Sequence, residues 1–390
     1  MTTRLSSISH SRAQPTRIPV NLGNRSYDII VQDGLLDRLG QQVSMLGLGT
    51  QAVIITNPIV KRLYARRAVQ GLQAAGFDVT VLVVPEGEQA KSMRWLNRIL
   101  DALIDKRCER GAVLIALGGG VVGDVAGFAA SVYLRGIHFI QVPTTLVAQV
   151  DASIGGKTAV NHVLGKNLIG TFYQPRMVLI DPLALLTLPE REYRAGLAEV
   201  IKYGVIEDAA FFEFLEQHMH KVLEREPESL GRILRTSCAI KAATVSADER
   251  EGDRRRILNF GHTLGHALET VTKYRRYQHG EAVAIGMVGA AGLAFHLGMA
   301  EKTVQERIKE LVTRAALPSE MPNHPAASLI SAMRQDKKVK EQQIHFVLPT
   351  EIGKVTVVPV QDSELRAFLK HTVPGRRRRQ VSYDGPPGGA

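Results

Sequence analysis

The sequence predicts an α/β layer with parallel strands over residues 18–186, followed by a mainly α-helical region over 187–370. Five short β-branched runs, TQAVIIT, FDVTVLVVP, GAVLIALGGG, HFIQVPTT and RMVLIDP, recur before Leu186 with helical stretches between several of them. After Asp181 such runs stop, and apolar residues recur at helical spacing to about residue 335. At 390 residues, 45% hydrophobic and 22% charged, the chain has the length for two domains and the composition of a globular protein.

Taken in order, residues 1–17 carry Arg4, Arg12 and Arg17 with no acid and read as a disordered extension, or alternatively as a short transit peptide. Between Ser92 and Lys106, Trp95, Leu96, Ile99, Leu100 and Leu103 follow a helix period. Thr187 with Glu190 forms a capping-box pattern, with Pro189 in the first turn of a new helix. The longest apolar run, Ala282 to Phe295, is rich in Gly and Ala and too short to cross a bilayer, so it reads as a helix buried in protein. A late pair, IHFVLP and KVTVVP, reads as one small hairpin. Residues 371–390, with Arg376 to Arg379 and a closing GPPGGA, read as a disordered basic tail.

Charge and cysteine usage bound the partners. The net charge is +11, but more than half of it sits in the two ends, so the body suits a small anionic substrate better than a nucleic acid. The RRRR tail has only Tyr383 as an aromatic companion, short of the basic and aromatic stripe of a nucleic-acid binder. Cys108 and Cys238 cannot form a disulfide framework, which points to a reducing compartment, the cytoplasm.

The segment NFGHTLGHALETVTKYRRYQHGEAVAIGM gathers three of the chain's twelve histidines among apolar and small residues. His262 and His266 stand four apart on a helical pattern, a spacing that offers two nitrogens to one metal. The ordinary alternative is a pair of helix histidines satisfied by backbone and solvent. Thr263 follows His262 where an HExxH motif needs its glutamate, and zinc wants a third ligand. Glu199 is the candidate: between Arg194 and Glu207 it and Lys202 are the only charges, three apart on one face of an otherwise apolar helix. Lys241 likewise interrupts the stripe of Leu234, Cys238 and Val245. Arg255 and Asn259 precede His262, and Lys337 and Lys338 follow in MRQDKKVK.

A second constellation is the glycine turn. Gly118, Gly119 and Gly120, then Gly123 and Asp124, follow the run VLIAL and precede VAGFAAS, an order that lets backbone N–H groups approach a pyrophosphate. The acid expected about 20 residues further on for a ribose is missing from VPTTLVAQV. Glu88 and Lys91 of EGEQAK, with Thr144 and Thr145 at another strand end, are alternative contacts. SIGGKTA fails as a P-loop because Asp151 stands where its first glycine belongs, leaving Lys157 as a charge for phosphate or carboxylate.

Together these motifs resemble the 3-dehydroquinate synthase family of sugar phosphate cyclases. The resemblance runs from about residue 18 to 370 through EGEQAK, LGGGVVGDVAGFAAS, QVPTTLVAQVDASIGGKTAVN, GKNLIG, LAEVIKYG, NFGHTLGHALE, HGEAVAIGM and DKK. It implies a Rossmann-like N-terminal domain, a helical C-terminal domain, and NAD with one divalent metal, Zn or Co, in the cleft between them. It implies Glu199, His262 and His279 as metal ligands, so that His266 turns from ligand to substrate contact. It implies Asn57, Glu88, Lys91, Gly119, Gly120, Val121, Val122, Gly123, Asp124, Thr144, Thr145, Lys157, Lys166 and Thr187 on the cofactor side. On the substrate side it implies Arg135, Asp151, Lys157, Lys166, Asn167, Lys202, Lys241, Arg255, Asn259, His266 and Lys337. Ile55 departs from the pattern, since many relatives have an acid there. The implied activity converts 3-deoxy-D-arabino-heptulosonate 7-phosphate to 3-dehydroquinate and phosphate, in a homodimer without membrane or nucleic-acid partners. Other sugar phosphate cyclases and a metal-dependent alcohol dehydrogenase are the alternatives.

Overall fold

The computed structural model describes residues 15–336 and 343–372. In the first half lie strands β1 (Thr16–Val20), β2 (Tyr27–Val31), β3 (Gln51–Thr56), β4 (Asp78–Val83), β5 (Val113–Gly118), β6 (His138–Pro143), β7 (Lys157–His162), β8 (Gly165–Phe172) and β9 (Met177–Ile180). Seven of them form a sheet in the order β1-β2-β9-β6-β5-β3-β4, while β7 and β8 pair as a separate hairpin. All pairings in the large sheet are parallel except β1 with β2.

Helices α1 (Leu39–Ser44), α2 (Pro58–Val60), α3 (Arg66–Ala74), α4 (Met93–Asp105) and α5 (Gly120–Val132) cover this sheet. Side chains alternate across a strand, so β3 sends Val53 and Ile55 to the α4 and α5 side and Ala52 and Ile54 to the α1 and α3 side. Burial on both faces explains the unbroken apolar runs in the sequence. Each fully buried Val or Ile among them stabilises the fold by about 1.5–3 kcal/mol relative to exposure.

The second half contains α6 (Glu190–Ile206), α7 (Ala209–Leu223), α8 (Pro227–Ala247), α9 (His262–Val271), α10 (His279–His296), α11 (Lys302–Arg314) and α12 (Ala326–Asp336). The hairpin β10 (Ile344–Glu351) and β11 (Lys354–Val360) follows, then α13 (Asp362–Thr372). Helix α10 is buried along most of its length and packs on α6, α9 and α11. Two glycines make that approach feasible: a Cβ at Gly280 would lie 1.8 Å from Ala195 O, and one at Gly286 would lie 2.0 Å from Gly261 O. The N-terminus of α10, with His279, is thereby pressed against α6.

Several local expectations change. Thr187 caps no helix: it ends a 3-10 turn over Pro182–Thr187, and α6 starts at Glu190 behind an N-cap Pro189 without a side-chain cap. Leu188 and Pro189 are extended, so the Thr187 hydroxyl turns instead to Tyr64 Oη. SIGGKTA, already rejected as a P-loop, opens a strand: Gly155 and Gly156 take φ of +98° and +67° and lead into β7. This hairpin, and the antiparallel β1, went unread because their sequences alternate weakly. Thr16 and Arg17 already belong to β1, with Arg17 opposite Ile30. The rest of the N-terminal extension, residues 1–14, lies outside the described residues, as do Lys337, Lys338 and the tail from 373, with Arg376 to Arg379.

Candidate active site and metal centre

Glu199 and Lys202 sit one turn apart on α6, both fully buried and paired with each other. The pair is therefore not a solvent-exposed ion pair of the helix surface. His262 Nε2 lies 3.5 Å and His279 Nε2 3.4 Å from Glu199 Oε1. The ligand atoms of these three residues all fall within 4.8 Å of one another. The second nitrogen of each ring is engaged: His262 Nδ1 lies 3.0 Å from Phe260 O, and His279 Nδ1 lies 3.3 Å from Glu269 Oε2. A ring whose Nδ1–H donates to a carbonyl or carboxylate presents the Nε2 lone pair on its other side, as a metal ligand must.

Electrostatics points the same way. Neither oxygen of Glu199 accepts a well-formed hydrogen bond. Burial opposes its charge, yet Lys202 and His262 hold its carboxyl well below the usual range. Burial also lowers the proton affinity of His279, but Glu199 and Glu269 outweigh it and lift its pKa to about 10. The two carboxylates thus face opposite nitrogens of this ring. Two imidazoles and one carboxylate are a donor set that zinc or cobalt accepts. His266, one turn after His262, brings its ring centroid within 5.4 Å of His262 and 5.8 Å of His279.

Behind Glu199, His262 and His279 runs a ladder of buried charge. Lys202 Nζ is 3.2 Å from Asp151 Oδ2, and Lys241 from α8 donates to the other oxygen of the same carboxylate. Burial pushes the Asp151 carboxyl up, but the two ammonium groups outweigh it and lower its pKa. The same burial lowers Lys241 to about 8, whereas Lys202 is raised because Asp151 and Glu199 both face it. One carboxylate serves two lysines, and only Lys202 has a second.

On the near side Lys157 Nζ is 2.5 Å from Glu251, whose other oxygen accepts from Asn259 Nδ2 at 3.1 Å. Asp248 holds this loop by accepting from the N–H groups of Gly252, Asp253 and Arg255 at 2.8–3.0 Å. Arg255, expected among the substrate contacts, lies just behind this loop. It is 1% exposed, and its guanidinium donates to the carbonyls of Gly155 and Glu249, so it ties two backbone segments together.

Most of the residues expected on the nucleotide side collect at the carboxyl ends of β3, β4, β5 and β6, where open α/β sheets bind ligands, while Lys157 and Lys166 lie on the β7–β8 hairpin and Thr187 follows β9. Gly119 caps α5, and the first intrahelical bond is Gly123 N–H to Gly119 C=O at 3.1 Å, so the N–H groups of Gly120, Val121 and Val122 precede it. A Cβ at Gly119 would press Thr145 at 3.0 Å and one at Gly120 would press Ala152 at 3.2 Å, so the turn packs closely on its protein neighbours. Thr144 adjoins it, its N–H bonded to Gly118 O at 3.0 Å. Lys91 donates to Asp124 and to Asn167, and burial pushes the Asp124 carboxyl up to about 6 despite Lys91. Asn161 bridges Glu88 and the Asn167 N–H, and Lys166 Nζ sits 3.8 Å from both Glu88 and Glu269. Asn57 accepts from Val60 N–H at 2.9 Å and caps α2.

Arg135 does not join the cluster: it is exposed at the end of the 3-10 turn Tyr133–Arg135 that follows α5, with φ of +66°, and makes no ion pair among the described residues. Three residues that the sequence reading missed are Glu269, Glu251 and Asp248. Glu269 carried a signal, standing three residues after His266 on one helix face. The acid-rich stretch Asp248 to Asp253 carried another.

Models of the 3-dehydroquinate synthase N-terminal and C-terminal regions match residues 81–195 and 196–339. The chain belongs to the 3-dehydroquinate synthase family. Among 3-dehydroquinate synthases, that of Nostoc punctiforme is 50% identical over 351 residues, 89% of this chain and 97% of the relative. That of Gloeobacter violaceus is 51% identical over 355 residues, 90% and 98% of the two chains. Among solved structures, a 2-epi-5-epi-valiolone synthase from Streptomyces hygroscopicus with NAD+ and Zn2+ bound is 30% identical at a TM-score of 0.81, covering 89% of this chain and 96% of that one. A 2-deoxy-scyllo-inosose synthase complexed with carbaglucose-6-phosphate, NAD+ and Co2+ is 26% identical at 0.83, covering 92% and 100%. A glycerol dehydrogenase from Schizosaccharomyces pombe, 19% identical at 0.65 over 88% of each chain, shares the fold alone.

Proposed function

We propose that this 3-dehydroquinate synthase family member converts 3-deoxy-D-arabino-heptulosonate 7-phosphate to 3-dehydroquinate and phosphate, using NAD and one divalent metal. The observation that carries the reading is the convergence of Glu199, His262 and His279 beside a ladder of buried lysines and the glycine turn. When bound, NAD supplies transient oxidation at carbon 5 of the sugar and the metal supplies Lewis acidity toward its hydroxyls.

The chain's own residues supply binding, orientation and charge. Glu199, His262 and His279 hold the metal, and the turn from Gly119 to Gly123 with Asp124, Lys91, Thr144 and Thr145 holds the dinucleotide. Lys157, Asn259 and His266 face the phosphate, and Asn167 and Lys166 reach the same space from β8. Lys241 and Lys202 place positive charge opposite a carboxylate, with Asp151 keeping both in position. Binding the two anionic ends of the substrate fixes the reacting carbons between them. Phosphate release with NAD in catalytic amount, lost on adding a chelator, is the expected result; accumulation of NADH or no phosphate release overturns the reading.

This reading takes 18–186 as the nucleotide-binding domain and 187–370 as the metal and substrate domain. It also takes the protein as a homodimer. Val163, Leu164, Leu168 and Phe172 on the β7–β8 hairpin are 93%, 84%, 61% and 42% exposed, an apolar patch that a second copy would cover. Buried Cys108 and Cys238 are unpaired, and no helix of the described residues is long and apolar enough to cross a membrane, which support a cytoplasmic location. The basic side chains of the cleft stand singly beside carboxylates, a pattern that suits a small phosphosugar and not a nucleic acid.

A further inference from the structure

We infer that Glu269 is a positioning residue of the metal centre: its carboxylate fixes the ring of His279, so that Nε2 is the nitrogen presented to the metal. The inference rests on the metal reading above and goes one shell further out. His279 is the first residue of α10, so the helix itself restrains its ring little; its side chain keeps 38% exposure. His262, by contrast, lies nine-tenths buried in α9 with its Nδ1 on the Phe260 carbonyl. What holds His279 comes from α9, where Glu269 is 6% exposed and points Oε2 at Nδ1 from 3.3 Å. The two ligand histidines are thus locked by different acceptors, a neutral carbonyl for one and a carboxylate for the other.

The other oxygen of Glu269 is held from across the cleft. Lys166 Nζ on β8 lies 3.8 Å from Glu269 Oε1, and it sits 4.0 Å over the ring of Tyr274. Its ammonium offsets the cost of keeping a buried carboxylate ionised. Carboxylates bonded to ligand histidines orient the ring and strengthen it as a base, and their loss typically weakens metal binding about 10–100-fold. Glu269 also lies near enough to His266 and His279 to act as a ligand itself, which is the rival role that the test separates.

The measurement is zinc affinity and cobalt absorption of the metal-free protein, by chelator competition without NAD or substrate. The parent takes up one ion per chain, and Glu199→Ala loses it; if Glu199→Ala still binds normally, the metal reading itself fails. Given that control, Glu269→Ala weakens zinc about 10–100-fold. Its cobalt spectrum at saturation keeps the parent shape, and Glu269→Gln, which still accepts from Nδ1–H, recovers most of the affinity. Unchanged affinity in Glu269→Ala overturns the inference. So does an altered cobalt spectrum with no recovery in Glu269→Gln, or a second ion per parent chain that Glu269→Ala loses, since either makes Glu269 a ligand. Where Glu269→Ala does not fold, Glu269→Asp decides: it keeps the charge and withdraws the carboxylate by one methylene, and it must lose affinity several-fold.

Discussion

Lys157 and Glu251 meet across the cleft with ammonium and carboxylate 2.5 Å apart, and Asn259 donates to the second oxygen of the same carboxylate. A protein carboxylate therefore occupies the donors assigned to the substrate's phosphate. An incoming phosphate must displace or protonate it. Glu251→Gln removes the competing charge, so inorganic phosphate binds that variant several-fold more tightly in a calorimetric titration. Equal affinity in parent and variant would place the phosphate subsite elsewhere.

Asp248 organises the loop that carries Glu251. Slight burial raises its pKa, but three backbone N–H donors outweigh this and bring it down to about 2. Because the folded value is depressed, the contribution of this carboxylate is present above the unfolded value near 4 and is lost as pH falls through about 2. Asp248→Ala leaves three donors without their acceptor and loosens the Glu251 and Arg255 region at neutral pH. The expected readouts are a lower urea midpoint and faster amide exchange over residues 249–255; unchanged exchange would refute the loop role.

Metal content separates the three histidines. Glu199→Ala and His279→Ala lose the bound ion after gel filtration, measured by elemental analysis. His266→Ala retains it and loses turnover. An empty site in His266→Ala would reassign the ligand set.

Lys241 gives a pH signature. Its pKa near 8 means that the cation opposite Asp151 is lost as pH rises through that value, so kcat/KM declines above about pH 8. Stability moves the other way. Between about 8 and the unfolded value near 10.4 the unfolded chain binds more protons at this group, which favours the folded state as pH rises. Lys241→Met removes both effects. A parent alkaline limb that persists unchanged in Lys241→Met would assign it to another group.

The exposed hairpin tests the assembly. Leu164→Asp places a charge on the apolar patch of β7 and β8, and sedimentation should show monomers where the parent sediments as a dimer. A parent that sediments as a monomer removes the proposal outright.

Read by itself, the chain revealed its strand runs, its glycine turn, and the odd charges Glu199, Lys202 and Lys241 in apolar stripes. These are local signals: doubly buried strands read as continuous apolar runs, and a charge without a solvated face must find a partner. The weak places were equally physical. The β7–β8 hairpin has exposed apolar residues on a two-stranded ribbon, so neither period nor burial marks it, and Thr187 only looked like a cap because sequence does not show that Leu188 and Pro189 are extended. Helical spacing proposed His262 with His266, since it reports only which residues share one helix face. That His279 stands beside Glu199 and His262 depends on the backbone of α10 lying against Ala195 of α6, a contact that Gly280 permits. The same packing sets Glu269 behind His279. Spacing along a chain ranks neighbours within an element, whereas a metal site is a meeting of elements, and only the packing of α6, α9 and α10 decides which atoms meet.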